Sequence, residues 1–352
     1  MTKIYVYPAD MDGCGHYRLI WPAQALQAQG HDVELVLPSD RTNISAEVSD
    51  AGVVQRVFYP EDADVLVMQR VTHRYLADAI SIIRQQGTAV VVDMDDDLMR
   101  IHPKNPAWLI MHPRSGKPGT VNGEHNWGHA LRACENASHV TVSSTALVDR
   151  YARHGRFNIL RNCVPESYLK VNHIDSEVFG WAGSLASHPD DHEQVGLAAT
   201  RLQRDGYAMK IIGDPGGIKD AYRLDDEPLT SGIVKIAEWP EAMSTLGVGM
   251  APLAPSQFNE AKSWLKPLEM AAVGVPFVMS RSAEYDRFRN TFKIGIQARK
   301  QNEWYGRLSR FLQSKTLRED TSGLNREAVS VWTYEQRAEQ WAAAWLRAAE
   351  SR

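Results

Sequence analysis

Short apolar runs rich in β-branched residues alternate with longer stretches of helical period through the first half of the chain. They fall at 3–7, 32–37, 64–68, 88–92, 139–142 and 157–160. Strands that alternate with helices predict a parallel sheet covered on both faces. Val65-Leu-Val-Met68 and Ala89-Val-Val-Val92 are continuous rather than alternating, the pattern of strands with no solvent face. A second series at 178–182, 208–212, 233–236, 248–251 and 276–279 predicts a second α/β unit. Pro165 and a polar run break the periodicity at 164–177, where a hinge is expected. Two such sheets facing each other leave a cleft at the carboxyl ends of their strands, so a site should draw on both halves.

Within 332–350, Tyr334, Ala338, Trp341 and Trp345 recur at helical spacing, with Glu335, Arg337, Glu339 and Arg347 on the opposite face. That stripe predicts a helix bracing the protein body rather than one lying on a membrane. The expected division is 1–165, 166–325 and a C-terminal helix in 326–352, and 352 residues suit two domains. Hydrophobic residues at 43% and charged residues at 23% exclude a disordered or fibrous chain. Thirty-nine Lys and Arg against forty-three Asp and Glu leave a net charge of -4, with no general attraction to nucleic acid or anionic lipid. Cys14, Cys134 and Cys163 lie far apart, so neither a disulfide framework nor a zinc site is indicated. No apolar run has the length of a membrane span, and a cytoplasmic location is expected.

The densest chemistry lies in 258–280, where Gly274 marks a helix end and Val-Pro-Phe-Val a return to the sheet. At helical spacing Lys262, Lys266 and Glu269 share one stripe, while Leu265, Leu268, Ala271 and Ala272 form another. Pro267 disfavours helix at Lys266, so the regular helix is expected to begin at Pro267 and 259–266 to be the loop before it. Free N–H groups at that helix start would favour a phosphate, the two lysines would add charge, and Glu269 could accept hydrogen bonds from a ribose diol. Taken alone, the same residues fit a solvated charged face.

Together with Leu246-Gly-Val-Gly-Met-Ala-Pro-Leu253, this segment resembles the donor-binding signature of family 4 and related glycosyltransferases of the GT-B fold, common in bacteria and bacteriophages. Such proteins carry a similar Asn-x-x-Lys-Ser-x-x-Lys-x-x-Glu pattern before a Gly-x-Pro strand. The resemblance implies an α/β fold of two Rossmann-like, doubly wound parallel-sheet domains around a central cleft, the first on the acceptor side and the second binding a nucleotide sugar. It places Lys262, Ser263 and Lys266 around the donor diphosphate and Glu269 on the ribose, with Leu265 also among the donor-binding residues. Gly13-Cys-Gly-His-Tyr-Arg18 resembles the first glycine-containing loop, which brings Gly13, Gly15 and His16 to the donor. Gly183 and Ser184 resemble the loop after the donor domain's first strand, and Ile236-Ala-Glu-Trp239 the segment lining the nucleobase pocket.

Two departures stand out. The arginine and lysine usual after that first donor-domain strand are missing from Gly183-Ser-Leu-Ala-Ser-His-Pro-Asp-Asp191, which leaves Lys262 and Lys266 to neutralise the diphosphate. Ala261 stands where a glutamate is usual. At another strand end, Asp93-Met-Asp-Asp-Asp97 is open to three readings: sugar or acceptor contact through Asp93 and Asp96, capping of a helix start, or a divalent metal held by Asp93, Asp95 and Asp97. Arg70, also at a strand end, is a candidate for acceptor contact. Asn162, Ser143 and Ser144 are assigned no chemistry.

The expected activity is transfer of a sugar from a nucleotide diphosphate sugar, with retention of configuration and no required metal cofactor, Lys262, Lys266, His16 and Asp95 being the catalytic candidates. The acceptor is open among glycan, lipid, protein and modified nucleic acid. A nucleotide-sugar epimerase and a non-catalytic two-lobed binding protein are the alternatives.

Overall fold

The computed structural model describes residues 2–40, 43–112 and 124–350. Among them two six-stranded parallel sheets dominate. The first runs in the spatial order Val33–Leu35, Ile4–Tyr7, Val65–Gln69, Ala89–Met94, His139–Val142 and Phe157–Ile159. The second runs Leu229–Thr230, Ala208–Ile212, Val178–Ala182, Val248–Ala251, Phe277–Met279 and Ile296–Gln297.

Successive side chains of a strand point to opposite faces, so each sheet feeds two cores. In the first, Ile4, Val6, Val65, Val67 and Val91 pack with helices Trp21–Ala28 and Tyr334–Glu350. Tyr5, Leu66, Met68, Val90 and Val92 pack with Ala77, Ile80 and Ile83 of Arg74–Gln85 and Ala130 and Ala133 of Asn126–Asn136. In the second, Phe179, Trp181, Ile211 and Met250 meet Trp304, Leu308 and Phe311 of Gln301–Leu312. Its other face, through Ile212, Phe277 and Met279, joins the core that already holds Ile4 and Val67. One apolar core therefore runs from lobe to lobe.

The chain leaves the first sheet at Ile159, enters the second at Val178, and later returns as Tyr334–Glu350 on the first sheet. Tyr334, Ala338, Trp341 and Trp345 are all buried, as the stripe predicts. Three local expectations are corrected. The run 233–236 is not a strand: Gly232 turns the chain out, Ile233 is 88% exposed, and pairing stops at Thr230. The helix expected from Pro267 spans Leu265–Ala272; in its first turn a proline has no hydrogen bond to lose. An antiparallel hairpin, Ser45–Val48 with Val54–Phe58, lies outside both series of predicted strands.

Candidate active site

Ligands of open α/β sheets bind where neighbouring strands send their connections in opposite directions. In the first sheet that point lies between Ile4–Tyr7 and Val65–Gln69. Gln69 fastens the loop there, accepting from Ala9 N at 2.9 Å and donating to Cys14 O at 3.1 Å. Asp10 Oδ1 accepts from Asp12 N and Gly15 N. A Cβ on Gly15 would fall 1.9 Å from Asp10 O, so only glycine permits this turn. The chain then enters a π-helical turn, His16–Ile20, which buries Tyr17 and Arg18.

In the second sheet the corresponding point lies between Val178–Ala182 and Val248–Ala251, and Lys266 reaches it: its Nζ donates to Ala182 O at 2.6 Å. A Cβ on Gly183 would lie 2.7 Å from the Trp181 ring, so a glycine keeps the loop close to its strand. Between the two points opens a cleft of about 1030 Å³, lined by Gly13, Tyr17, Trp239, Lys262, Ser263, Leu265, Lys266 and Glu269 among others.

Glu269 is 4% exposed. Its Oε1 accepts hydrogen bonds from Tyr17 Oη and from Trp239 Nε1, the latter at 3.0 Å, while Oε2 has no hydrogen-bond partner among the described residues. Tyr168 Oη lies 2.5 Å from Tyr17 Oη and supports it. Burial pushes the Glu269 carboxyl up to about 7, against the opposing effects of Tyr17, Lys266 and Trp239. A diol donating to Oε2 favours the ionised form, so its contribution to ligand affinity grows as pH rises through about 7 and is lost below. Glu269→Ala is expected to weaken nucleoside diphosphate binding by about 1.5–3 kcal/mol. Unchanged affinity by calorimetry in a folded variant would remove Glu269 from the site.

The acidic run sorts into separate environments. Asp93 is fully buried beneath the cleft, paired with Arg18 at 3.0 and 2.8 Å and accepting from Thr141 Oγ1 at 2.6 Å. Arg18 also donates to Asn162 Oδ1 and Leu160 O. Asp95 takes the guanidinium of Arg70, which also reaches Asp96 at 3.0 Å. Asp96 pairs across the cleft with Lys262 at 2.8 Å. Burial would raise its pKa, but Lys262 and then Arg70 outweigh burial and hold it below the usual carboxylate range. Asp97, 1% exposed, lies between Arg100 and Arg150. With each carboxylate facing a cation, the described residues hold no group of three suited to a metal ion.

Arg70 has a left-handed backbone, φ 47°, which a non-glycine residue adopts at a cost of about 1–3 kcal/mol. It lines a second cavity of about 430 Å³ between the hairpin and the helix Arg74–Gln85, with Tyr7, His73 and Tyr75. His16 packs on Trp21 and donates from Nδ1 to Asp12 O at 2.9 Å, outside the cleft lining, and Gly183 and Ser184 lie beside that lining rather than in it.

Three residues were given no role by the sequence. Asn162 joins the lobes, donating to Ser263 Oγ at 3.1 Å and accepting through its carbonyl from Trp264 and Trp332. Ser144 Oγ donates to Ala261 O at 2.6 Å. His188 lines the cleft from the loop that lacks arginine and lysine. A polar residue next to a motif was the signal available for His188; Asn162 and Ser144 left none, because their partners are more than a hundred positions away.

No protein-family model and no curated protein matches the chain. Solved structures do. HepE of Anabaena, crystallised with UDP and glucose, aligns over 99% of this chain and 100% of its own, with TM-score 0.61 and 12% identity. WaaG, a glycosyltransferase involved in lipopolysaccharide biosynthesis, aligns over 97% and 99%, with TM-score 0.58 and 13% identity. A glycosyltransferase from Rickettsia africae covers 100% of both chains at TM-score 0.59 and 11% identity. Two Rossmann-like parallel sheets facing one cleft, braced by a helix returned to the first of them, give this chain the GT-B fold of those glycosyltransferases.

Proposed function

We propose that the chain is a glycosyltransferase that takes a sugar from a nucleotide diphosphate sugar, residues 166–325 binding the donor and 1–165 the acceptor. The observation that carries this reading is the start of helix Leu265–Ala272. Its free N–H groups, Lys266 and Lys262 meet at the second sheet's ligand-binding point, opposite the Gly13–Gly15 turn, with Glu269 one turn further on. A diphosphate held there leaves Oε2 of Glu269 for the ribose and the Trp239 side for the base. Departure of the diphosphate builds charge that the helix start and lysines stabilise.

Retention follows if the departing diphosphate accepts the acceptor's proton on the same face. Among the described carboxylates lining the cleft, Asp12 and Glu269 make no ion pair, and with Glu269 assigned to the ribose an inverted product would point to Asp12 as the base. The anomeric configuration of the product, read by NMR, decides. Arg70, Asp95 and Asp96 border the acceptor side, and a glycan, lipid, protein or modified nucleic acid could each supply the hydroxyl.

Thermal shift against a panel of nucleotide sugars tests the reading, since a ligand at 100 times its Kd stabilises by about 2.7 kcal/mol. Release of nucleoside diphosphate with sugar appearing on an acceptor separates transfer from epimerisation, and saturable binding without release of nucleotide over hours would favour a binding protein. Turnover is expected to survive EDTA, because the cleft's lysines and helix start supply the positive charge. Activity lost to chelation and restored by Mn or Mg would shift weight to Asp93, Asp95 and Asp97.

A further inference from the structure

The loop after Val178–Ala182 carries no arginine or lysine through Asp191, yet it delivers a ring to the cleft. The loop folds back at Ser184, whose carbonyl accepts from His188 N at 3.1 Å. His188 Nδ1 then lies 2.8 Å from Asp191 Oδ2. Asp191 is 2% exposed and is itself held: its Oδ1 accepts from Ala254 N at 2.8 Å and from Asn259 Nδ2 at 2.7 Å. Trp181 meets the imidazole edge-on at 6.1 Å. A carboxylate on Nδ1 keeps the proton there, so the opposite nitrogen, Nε2, is the one left for a ligand. Nε2 has no hydrogen-bond partner among the described residues.

We propose that His188 binds the donor diphosphate, taking up a proton from solvent as the anion arrives and donating from Nε2 to a phosphate oxygen. This rests on the glycosyl-transfer reading and gives the loop the cation that its sequence lacks. The charged groups facing the ring are Asp191 from its own loop, Lys262 and Lys266 from the segment opposite, and Asp96 from the first lobe. Asp190, its other acidic neighbour, is taken by His102 and Lys104. Without ligand, burial above all, with the two lysines, holds the His188 ring below the usual histidine range against the pull of Asp191. The free ring is therefore neutral near neutral pH. A diphosphate offsets the lysines and adds negative charge beside Nε2, which favours the imidazolium. The ring's contribution to affinity is full at low pH and lost as pH rises through its ligand-bound pKa. Glu269 works in the opposite sense, so the ring is isolated by comparing the unaltered protein with a His188 variant at each pH.

Calorimetry of UDP-glucose binding in buffers of different ionisation enthalpy provides the test. The unaltered protein is expected to take up about one proton more per ligand than His188→Gln does, and His188→Gln to bind roughly 10- to 100-fold more weakly at the acid end. His188→Arg, a permanent cation, should bind more tightly than His188→Gln with no extra proton. Equal proton counts for the unaltered protein and a folded His188→Gln would overturn the proposal, including when affinity falls, since that is the mark of a ring that only supports Asp191. Should His188→Gln fail to fold, ring chemical shifts of His188 in the unaltered protein decide, and a neutral imidazole in the complex overturns it. Failure of UDP-glucose and the other nucleotide sugars of the panel to bind the unaltered protein would instead defeat the transferase reading on which the proposal stands.

Discussion

Lys266→Ala is expected to lower turnover about 100- to 1000-fold, a loss of about 2.7–4 kcal/mol, by analogy with removal of one oxyanion donor. Lys266 holds Ala182 O at 2.6 Å and makes no ion pair among the described residues, whereas Lys262 is already engaged by Asp96. Burial lowers the Lys266 pKa, offset in part by Glu269 and Asp191. An arriving diphosphate supplies the counter-charge that this ammonium lacks, and more so as the sugar bond breaks. The loss should therefore fall on kcat more than on KM. Steady-state rates of a folded Lys266→Ala within about twofold of the parent, with a working donor and acceptor, would exclude Lys266 from leaving-group stabilisation.

Arg18→Met is expected to destabilise the protein by about 3–5 kcal/mol, because it leaves the Asp93 charge buried and unpaired. Neither residue has measurable exposure, and the guanidinium also serves Leu160 O and Asn162 Oδ1. Thr141 alone would remain on Asp93. Adding Asp93→Asn should recover much of the loss, since the amide can be buried without a counter-ion. Urea unfolding midpoints of the two variants test both statements; a loss below about 1 kcal/mol for Arg18→Met would mean that water or another cation reaches Asp93.

The sheets were legible because their strands are covered on both faces, which leaves continuous apolar runs such as 65–68 and 89–92. The same rule misread Ile233-Val-Lys-Ile236, an apolar run that borders the cleft, and passed over Ser45–Val48, whose residues are all exposed. Lys266 and Glu269 were legible as neighbours on one helix face. Lys262 reaches the same cleft from outside that helix, by a loop geometry that helical spacing does not encode. The five residues from Asp93 to Asp97 carry the same side chain four times and differ only in their partners, Arg18, Arg70, Lys262, Arg100 and Arg150. Apart from Arg100, three positions beyond Asp97, those partners, like Tyr17 on Glu269, come from distant parts of the chain, and no local pattern announces them.

The helix Tyr334–Glu350 lies on strands of the first sheet, yet it follows every strand of the second in chain order. During synthesis the first sheet therefore waits, with Ile4, Val6, Val65 and Val67 lacking part of their cover, until the whole second lobe has been made. A nascent chain halted before residue 334 would expose an adhesive apolar surface suited to chaperone capture. Expression of the first lobe without that helix is expected to leave one face of its sheet part-covered.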